Sequence, residues 1–565
     1  MSWIRRVRRG KQYYLYEVTS KLENGKVKQK LIRYLGVEGD EPKVPKPKTK
    51  RIRPDKIFPE RSFRAGDVSL LWQLADSLDL IGTIDRITTG SSHENGPSPG
   101  KYLVIWAINR ILDPESATQL ESWVKTTTLP MLAEMEPSDF TKDAFLRSLD
   151  AICAYSTETQ HMNTHIPQIE EILYQKWRIM YPLPIQTSEI VAFDLTPIPT
   201  FGKECPLAEK GHKTKETHQL QINLSVVTSK FNSYPIAHFV HPGSFHSIST
   251  VSNLLVRLKE LNIPNGTIIW DRGYTSKEEI DRVENEGWQI ICGVPKRANE
   301  VKNLLSMTNP PLEPDYFVPS KCMNIYAIKV DSELFGKKGS VVVYLNVDRQ
   351  LQELKQRNAN LAEIQDELLS LQSKCNTMTI EDVHSTICSI IGENKKFFTV
   401  SSNQENNGIH LTWEANKQSR QALEKLDGKY LLYATDSNLL AKDITKAYFE
   451  KDFVEKVFRD LKTFEEIAPI RHRLEPRVLA IMFVCTLALR IKVALRSQLE
   501  CLNDQKDQKK WSIEILLKKL QRVERIELNI GDESQVWFIN LQKKTKNILD
   551  EMGYSDLFTG QVKLV

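Results

Sequence analysis

The spacing of apolar and polar positions divides the chain into stretches of different period. Residues 3–36 alternate: QYYLYEVTS and KVKQKLIRYLG flank Glu23-Asn24-Gly25. Asn-Gly between two β-rich runs predicts a hairpin, here a small basic sheet over 1–40. Pro42, Pro45, Pro47, Pro54 and Pro59 lie among lysines and arginines and predict an extended basic linker over 41–65. Over 66–182 the apolar spacing becomes three and four. DVSLLWQLADSLDLIGTIDRI, from Asp67, and PGKYLVIWAINRIL, from Pro99, read as helices, and such spacing is more often core than a helix-turn-helix. From Ser188 the texture changes again. EIVAFD, HQLQINLSVVTS and YPIAHFV are strands, VSNLLVRLKEL a helix, TIIWD a strand, SKEEIDRVENEG a helix and WQIICGV a strand. Residues 296–427 then interrupt, with strands IYAIKVD, SVVVYLN, FFTVSS and IHLTWE around a helix from Arg349 to Lys374. That predicts a β-rich insertion with a long helical arm. KYLLYAT returns the chain to a second core part over 428–500, and 505–525 predicts a basic amphipathic helix within a basic C-terminal helical segment, 501–565.

Three consecutive strands followed by strand–helix alternation over 183–295 is the order of the ribonuclease H-like fold. The expected class is therefore α+β multidomain: a ribonuclease H-like core interrupted by the insertion, preceded by the basic hairpin domain and a helical domain. The stretch Tyr448–Lys462, YFEKDFVEKVFRDLK, has no Gly or Pro and predicts one continuous helix. Phe449, Phe453 and Val457 form an apolar face. Tyr448, Glu455 and Lys462, spaced by seven, share another face with Lys451 and Arg459, which flank Glu455 at four residues on either side. Alone, this is a helix laced with i,i+4 ion pairs. It becomes a site only if carboxylates elsewhere join Glu455.

Composition narrows the class. Hydrophobic content of 41% and charged content of 26% are ordinary for a globular protein. The apolar run Val478–Leu489 looks too short to span a bilayer and is followed by Arg490 and Lys492,. MSWIRRVRRG has no apolar signal core, and the eight cysteines form no CxxC pair. Both point to a reducing, cytoplasmic setting and away from a zinc ribbon or disulfide framework. The net charge of +5 hides an asymmetry: residues 1–64 hold 19 Lys and Arg against 7 Asp and Glu. A basic block carrying Arg5, Arg6, Arg8 and Arg9 on a mildly acidic body predicts contact with a polyanion, nucleic acid first.

The carboxylates are Asp194, ending the strand EIVAFD, and Asp271, ending TIIWD. Strand-end carboxylates in an α/β sheet face the crevice where sites form. With Glu455 they make an oxygen-only set suited to hard divalent cations. Two such ions about 3.5–4 Å apart serve in-line attack at phosphorus. At these residues the chain resembles the DDE transposases of prokaryotic insertion sequences, in the branch with the helix signature Tyr-x2-Arg-x3-Glu-x6-Lys. Tyr448, Lys451, Glu455 and Lys462 stand at that spacing, with Lys in place of Arg at the second position, which keeps the charge and loses the bidentate fork. FDLTPI and WDRGYTS match the two Asp motifs, and YYLYEV…RYLG and SPGKYLVIWAINRILDPES resemble the same branch.

The resemblance implies catalytic metal ligands Asp194, Asp271 and Glu455, and two Mg²⁺ ions with Mn²⁺ able to substitute. It implies double-stranded DNA partners (inverted-repeat ends and target), cleavage, and strand transfer by cut-and-paste within a homodimeric synaptic complex. It implies that Tyr448, Lys451 and Lys462 hold end phosphates. Arg272, Arg459 and Thr196 are added by proximity, and the helical domain is a candidate for DNA-end binding. Families sharing the signature and the insertion pass through a DNA hairpin; Tyr316, Phe317, Tyr326 and Trp413 of the insertion are candidate platforms for an unstacked base. The competing readings are a ribonuclease H-like nuclease, a domesticated DNA-binding remnant, and an interaction protein built on the Arg349–Lys374 helix.

Overall fold

A computed structural model describes residues 2–23, 26–39, 57–88, 96–156, 158–200, 204–211, 220–245, 250–320, 323–405, 408–461, 470–504, 511–530, 533–558 and 561–564. It divides into two compact units, Met1–Arg61 with Glu527–Val536, and Ser62–Ile526 with Trp537–Val565.

In the smaller unit the hairpin gains a strand. Ser2–Arg9 pairs antiparallel with Gln12–Glu23, which pairs with Lys26–Val37. The alternation that predicts two strands extends back through WIRRVRR, so the basic residues themselves form the first strand.

The larger unit is built on a ten-stranded mixed sheet. Its first five strands, in spatial order, are Pro235–Pro242, Leu220–Ser229, Ile190–Pro199, Thr267–Trp270 and Gln289–Val294. In order of sequence that is three, two, one, four, five. Thr267–Trp270 lies parallel to both neighbours, and the other pairings are antiparallel. Lys429–Ala434 continues the sheet, followed by Ser340–Asn346, Met323–Val330 and Phe317–Ser320. The first three strands after residue 296 thus extend the central sheet, where the sequence predicted a separate insertion. Ser340–Asn346 is buried along its whole length, as a central position requires, whereas Met323–Val330 and Phe317–Ser320, toward the sheet edge, alternate between buried and more exposed residues.

What remains is the arm. Val347–Lys374 and Ile380–Ile391 pack with the two-stranded sheet Phe398–Glu405 and Gly408–Ala415 around a small core of Leu368, Leu371, Val383 and Leu411. The arm itself is mainly helical.

Alternate residues of the inner strands feed two cores. Ile268, Trp270, Ile290, Cys292, Val341, Val343, Leu431 and Tyr433 enter the main core; Ile269, Ile291, Val342 and Leu432 enter a second one, with Ile444 and Tyr448. The main core is continuous with the helices Pro99–Leu112 and Lys142–Ile152 and with Glu475–Asp504. The last helix passes the membrane test of length and composition that its 12-residue apolar run was expected to fail, but 94% of its most apolar window is buried inside the protein. It runs past the buried Arg490, whose Nε donates to the Pro235 carbonyl and whose Nη2 donates to Glu170 and the Ile236 carbonyl, while its Nη1 is buried without a partner.

Two further expectations change. Ile57–Arg64, assigned to the linker, is the end strand of a four-stranded sheet with Glu524–Ile530, Glu533–Leu541 and Gln561–Leu564. An end position leaves room for Pro59, which has no N–H to pair. The C-terminal segment is therefore mixed rather than helical; its helices are Ile513–Leu520 and Lys543–Glu551. ERIELNI alternates with period two, and that period decided its state.

Candidate active site

Parallel pairing places the two aspartates side by side. Trp270 faces Phe193 in the register of the two strands, so Asp271 and Asp194 are the next residues of each at the same sheet level. Asp194 accepts a bond from the Leu195 N–H at 2.8 Å. Asp271 caps the short Arg272–Tyr274 turn through the Arg272 N–H, 2.8 Å. Both line a cavity of about 620 Å³, with Lys296 and Arg297 on its rim.

The predicted single helix is two. Ala441–Glu450 ends at Lys451, whose φ and ψ of −60° and −6° form the junction to Asp452–Arg459. Tyr448 and Glu455 do not share one straight face. The reason lies in packing: Ile444 and Tyr448 belong to the second core, Val457 and Phe458 to the main core on the other face of the sheet. A straight helix cannot serve both.

The break brings Tyr448 and Lys451 to Asp271. The Tyr448 hydroxyl donates to Asp271 Oδ1 at 2.6 Å, and Lys451 Nζ lies 3.5 Å from the same oxygen and 4.5 Å from the centre of the Tyr448 ring. Burial pushes the Asp271 carboxyl up; Lys451, the Tyr448 hydroxyl and the Arg272 N–H together outweigh it and hold the group below the usual carboxylate value. Burial first, then Asp271, drives the Tyr448 phenol far above its ordinary value, so it stays a donor. In this structure these two side chains, expected on phosphates, are spent on a carboxylate.

Asp452–Arg459, the helix that includes Glu455, packs against the strands Ile190–Pro199 and Leu220–Ser229. Its backbone thus lies beside the Asp194 strand; the side chain of Glu455 falls outside the described ones, and Lys462 lies outside the described residues. Among the described residues no three His, Cys, Asp or Glu side chains gather as a metal site. The donor chemistry still suits a hard cation: two carboxylates at one sheet level, one of them held ionised, with no thiol or imidazole among the described residues that line the cavity,. Arg272 and Arg459 are exposed, and Thr196 is buried in its strand.

A second cavity, about 320 Å³, opens on the other side of Asp271. Tyr344, Tyr430, Phe449 and Arg349 line it. None of the four aromatics expected as platforms reaches it. Phe317 and Tyr326 pack on each other, 5.6 Å between ring centres, and Trp413 covers the core of the arm. Tyr430 lies in KYLLYAT, which sequence reading treated only as a returning strand. Its signal was its place opposite Tyr344 in a neighbouring strand.

The four N-terminal arginines alternate along Ser2–Arg9, with Arg5 and Arg9 on one face of the small sheet and Arg6 and Arg8 on the other,. Arg6 lies 3.9 Å from the centre of the Tyr13 ring and pairs with Glu38, and Arg5 donates to Gln29 at 2.9 Å.

Residues 185–491 match the family model described as "Transposase DDE domain". No curated protein matches the chain. Among solved structures, one similar chain is from a cryo-EM structure of the piggyBac transposase synaptic complex with hairpin DNA: 10% identity, 81% of this chain and 79% of that one covered, TM-score 0.39. Another is from a Drosophila P element transposase strand transfer complex: 12% identity, 78% and 89% covered, TM-score 0.21. At such scores neither likeness bears on function.

Proposed function

The chain belongs to the transposase DDE domain family and is a DDE transposase; from that premise we propose that it cuts DNA at the inverted repeats of an insertion sequence and joins the freed ends to target DNA. The observation that carries this reading is the register pair Phe193–Trp270, which sets Asp194 and Asp271 side by side, with the Glu455 helix packed on the Asp194 strand. The strand order three, two, one, four, five supports a ribonuclease H-like core, and the spacing Tyr448, Lys451, Glu455, Lys462 supports the insertion-sequence branch.

Asp194, Asp271 and Glu455 would hold Mg²⁺, two ions in the productive complex, with Mn²⁺ as substitute. When bound, the metal lowers the pKa of an attacking water or hydroxyl and neutralises charge on the leaving oxygen. The chain's own part is positional. Tyr448 and Lys451 fix Asp271 and keep it ionised. Arg272, Lys296 and Arg297 present positive charge along the cavity of the two aspartates, where a scissile phosphate would lie. Arg459 and Lys462 extend that charge, and the N-terminal arginines bind flanking duplex. A homodimer would pair two ends.

One triad cuts one strand first; the freed 3′ hydroxyl then attacks the opposite strand and leaves a hairpin. Tyr430, with Tyr344 and Phe449 beside it, is the platform for the base that unstacks at the tip,. The test is end DNA incubated with protein and Mg²⁺ and run on a denaturing gel. The expected products are a nick at the element boundary, then a species of doubled strand length. Absence of any Mg²⁺-dependent nick removes the transposase reaction, whereas flanking DNA released with no doubled species removes only the hairpin route. Tyr430→Ala should nick normally and lose hairpins about ten-fold, given stacking of about 1–3 kcal/mol per base.

A further inference from the structure

A cavity of about 710 Å³ lies away from the two aspartates, between the helical region and the start of the Glu475–Asp504 helix. Its lining is lopsided in charge. Arg110, Lys142, Arg471, Arg473 and Arg477 contribute five cations, against the carboxylates of Glu115 and Glu204. Two of the cations are satisfied: Arg477 grips Asp150 with two bonds of 2.7 Å, and Arg473 meets Glu204 at 3.1 Å.

Another of the cations, Arg110, and a neighbouring tryptophan point to something absent. Trp106 and Arg110 are four residues apart and so share one face of the Pro99–Leu112 helix,. Trp106 is fully buried, and the indole Nε1 and the Arg110 Nε are both buried without a hydrogen-bond partner. Both can only donate, and a buried unmatched donor is costly. Beside them stands His472, its ring 6.2 Å from that of Trp106. Burial, with Arg110 and Arg477 adding, lowers its pKa to about 4, so at neutral pH it is an uncharged imidazole able to donate. Unmatched donors in a cationic cavity call for an oxyanion.

Position says which one. Ile470, next to Arg471, bridges Thr200, and Thr200 follows the Asp194 strand, six residues beyond Asp194. At a strand rise of roughly 3.3 Å per residue that is about 20 Å, or about six base pairs of duplex.

We propose that this cavity is a second phosphate site, in which Arg110, Trp106 and Arg471 hold a backbone phosphodiester of the bound DNA end about six base pairs from the scissile phosphate. The assignment rests on the DNA-end reading above. A lone inorganic phosphate offers the same oxygens, so the experiment separates the two sources. Binding of end DNA is measured by anisotropy across a salt series for wild type, Arg110→Gln and Arg471→Ala. The last change is at an exposed position and tests the site even if Arg110→Gln fails to fold. Each variant should flatten the slope of log K against log salt by about 0.9 per lost contact. A single neutral methylphosphonate, walked along the end duplex, should weaken wild-type binding near the sixth base pair and leave the variants indifferent there. If wild type binds end DNA and neither the slopes nor the methylphosphonate scan distinguishes the variants, the site is wrong while the DNA reading stands. If inorganic phosphate protects wild type but not Arg110→Gln against thermal unfolding and the scan is silent, the cavity takes a free anion and the DNA assignment is overturned. If wild type binds no end DNA at all, the function above fails first.

Discussion

The hydroxyl of Tyr448 and the carboxylate of Asp271, 177 positions apart in sequence, meet at 2.6 Å. That bond makes a residue in the last turn before the helix break a support for the carboxylate that follows the Thr267–Trp270 strand. Tyr448→Phe keeps the buried ring and removes the donor. Unfolding temperature and end-DNA affinity should stay near wild type, while first-strand nicking falls about 10–100-fold, the usual cost of losing an outer partner of a ligating group. Unchanged nicking with weakened binding would place Tyr448 on DNA instead.

Asp194→Asn, Asp271→Asn and Glu455→Gln should each fold and bind end DNA yet lose roughly 10⁴-fold in nicking, and a double variant should be no worse than a single one, because the groups act as a unit. Single-turnover nicking at matched protein concentration checks this. A Glu455→Gln rate close to wild type would take that residue out of the site.

Deleting residues 2–39 should weaken end-DNA binding and flatten its salt dependence, since this stretch carries Arg5, Arg6, Arg8 and Arg9. The cut must stop there. Arg64 is paired with the buried Asp67 and with Asp113, so removal through residue 64 would damage the larger unit as well. A salt slope identical to that of the full chain would show that the sheet makes no phosphate contacts.

Glu170 gives the fold an acid-sensitive centre. It is fully buried and accepts from His238 at 2.8 Å, Arg490 at 2.9 Å and Arg257 at 3.2 Å. Burial raises its pKa, but His238, Arg490 and Arg257 prevail and hold it at about 2, below the ordinary 4.5. A depressed carboxylate contributes stability that is complete above 4.5 and is lost as pH falls toward 2. Glu170→Gln should lower unfolding free energy at neutral pH by about 3–5 kcal/mol, since the buried Arg257 and Arg490 lose their anion,. It should also lose part of the acid dependence seen in wild type. Urea titrations at several pH values measure both; parallel pH curves for the two proteins would contradict the assignment.

Gly428→Ala should destabilise the base of the arm. Gly428 has a φ of +66°, and an added Cβ would lie 2.6 Å from the Asn346 carbonyl oxygen and 2.6 Å from Gln350 Cβ. The positive φ alone costs about 1–2 kcal/mol. Proteolysis should then cut earlier around 347–427, with the central sheet still resistant; identical digestion patterns would refute it.

The parts legible in sequence were those where a local pattern and the tertiary demand agree. Strand patterning pointed to Asp194 and Asp271 because IVAF and TIIW are apolar runs that each lead into a carboxylate; Asp271 does follow the end of its strand, whereas the Asp194 strand, expected to stop there, runs on to Pro199 in its pairing with Leu220–Ser229. The break at Lys451 was not legible. Nothing in YFEKDFVEKVFRDLK disfavours a straight helix; two cores on opposite faces of a sheet impose the bend. Tyr430 was missed for a similar reason, since its place depends on Tyr344 across a strand pair, 86 positions away in sequence. Ile57–Arg64 was hidden by Pro59, whose meaning changes at a sheet edge.

The arm leaves the sheet after Ser340–Asn346 and re-enters at Lys429–Ala434, and those two strands are antiparallel neighbours. The Asn346 N–H donates to the Gly428 carbonyl at 2.8 Å, closing the gap. Topologically, residues 347–427 are the tip of a hairpin, with their own small core. Closure entropy grows only with the logarithm of loop length, so the catalytic sheet is nearly indifferent to how much chain the tip holds. The junction can therefore hold a longer or shorter arm at little cost to the arrangement of the two aspartates.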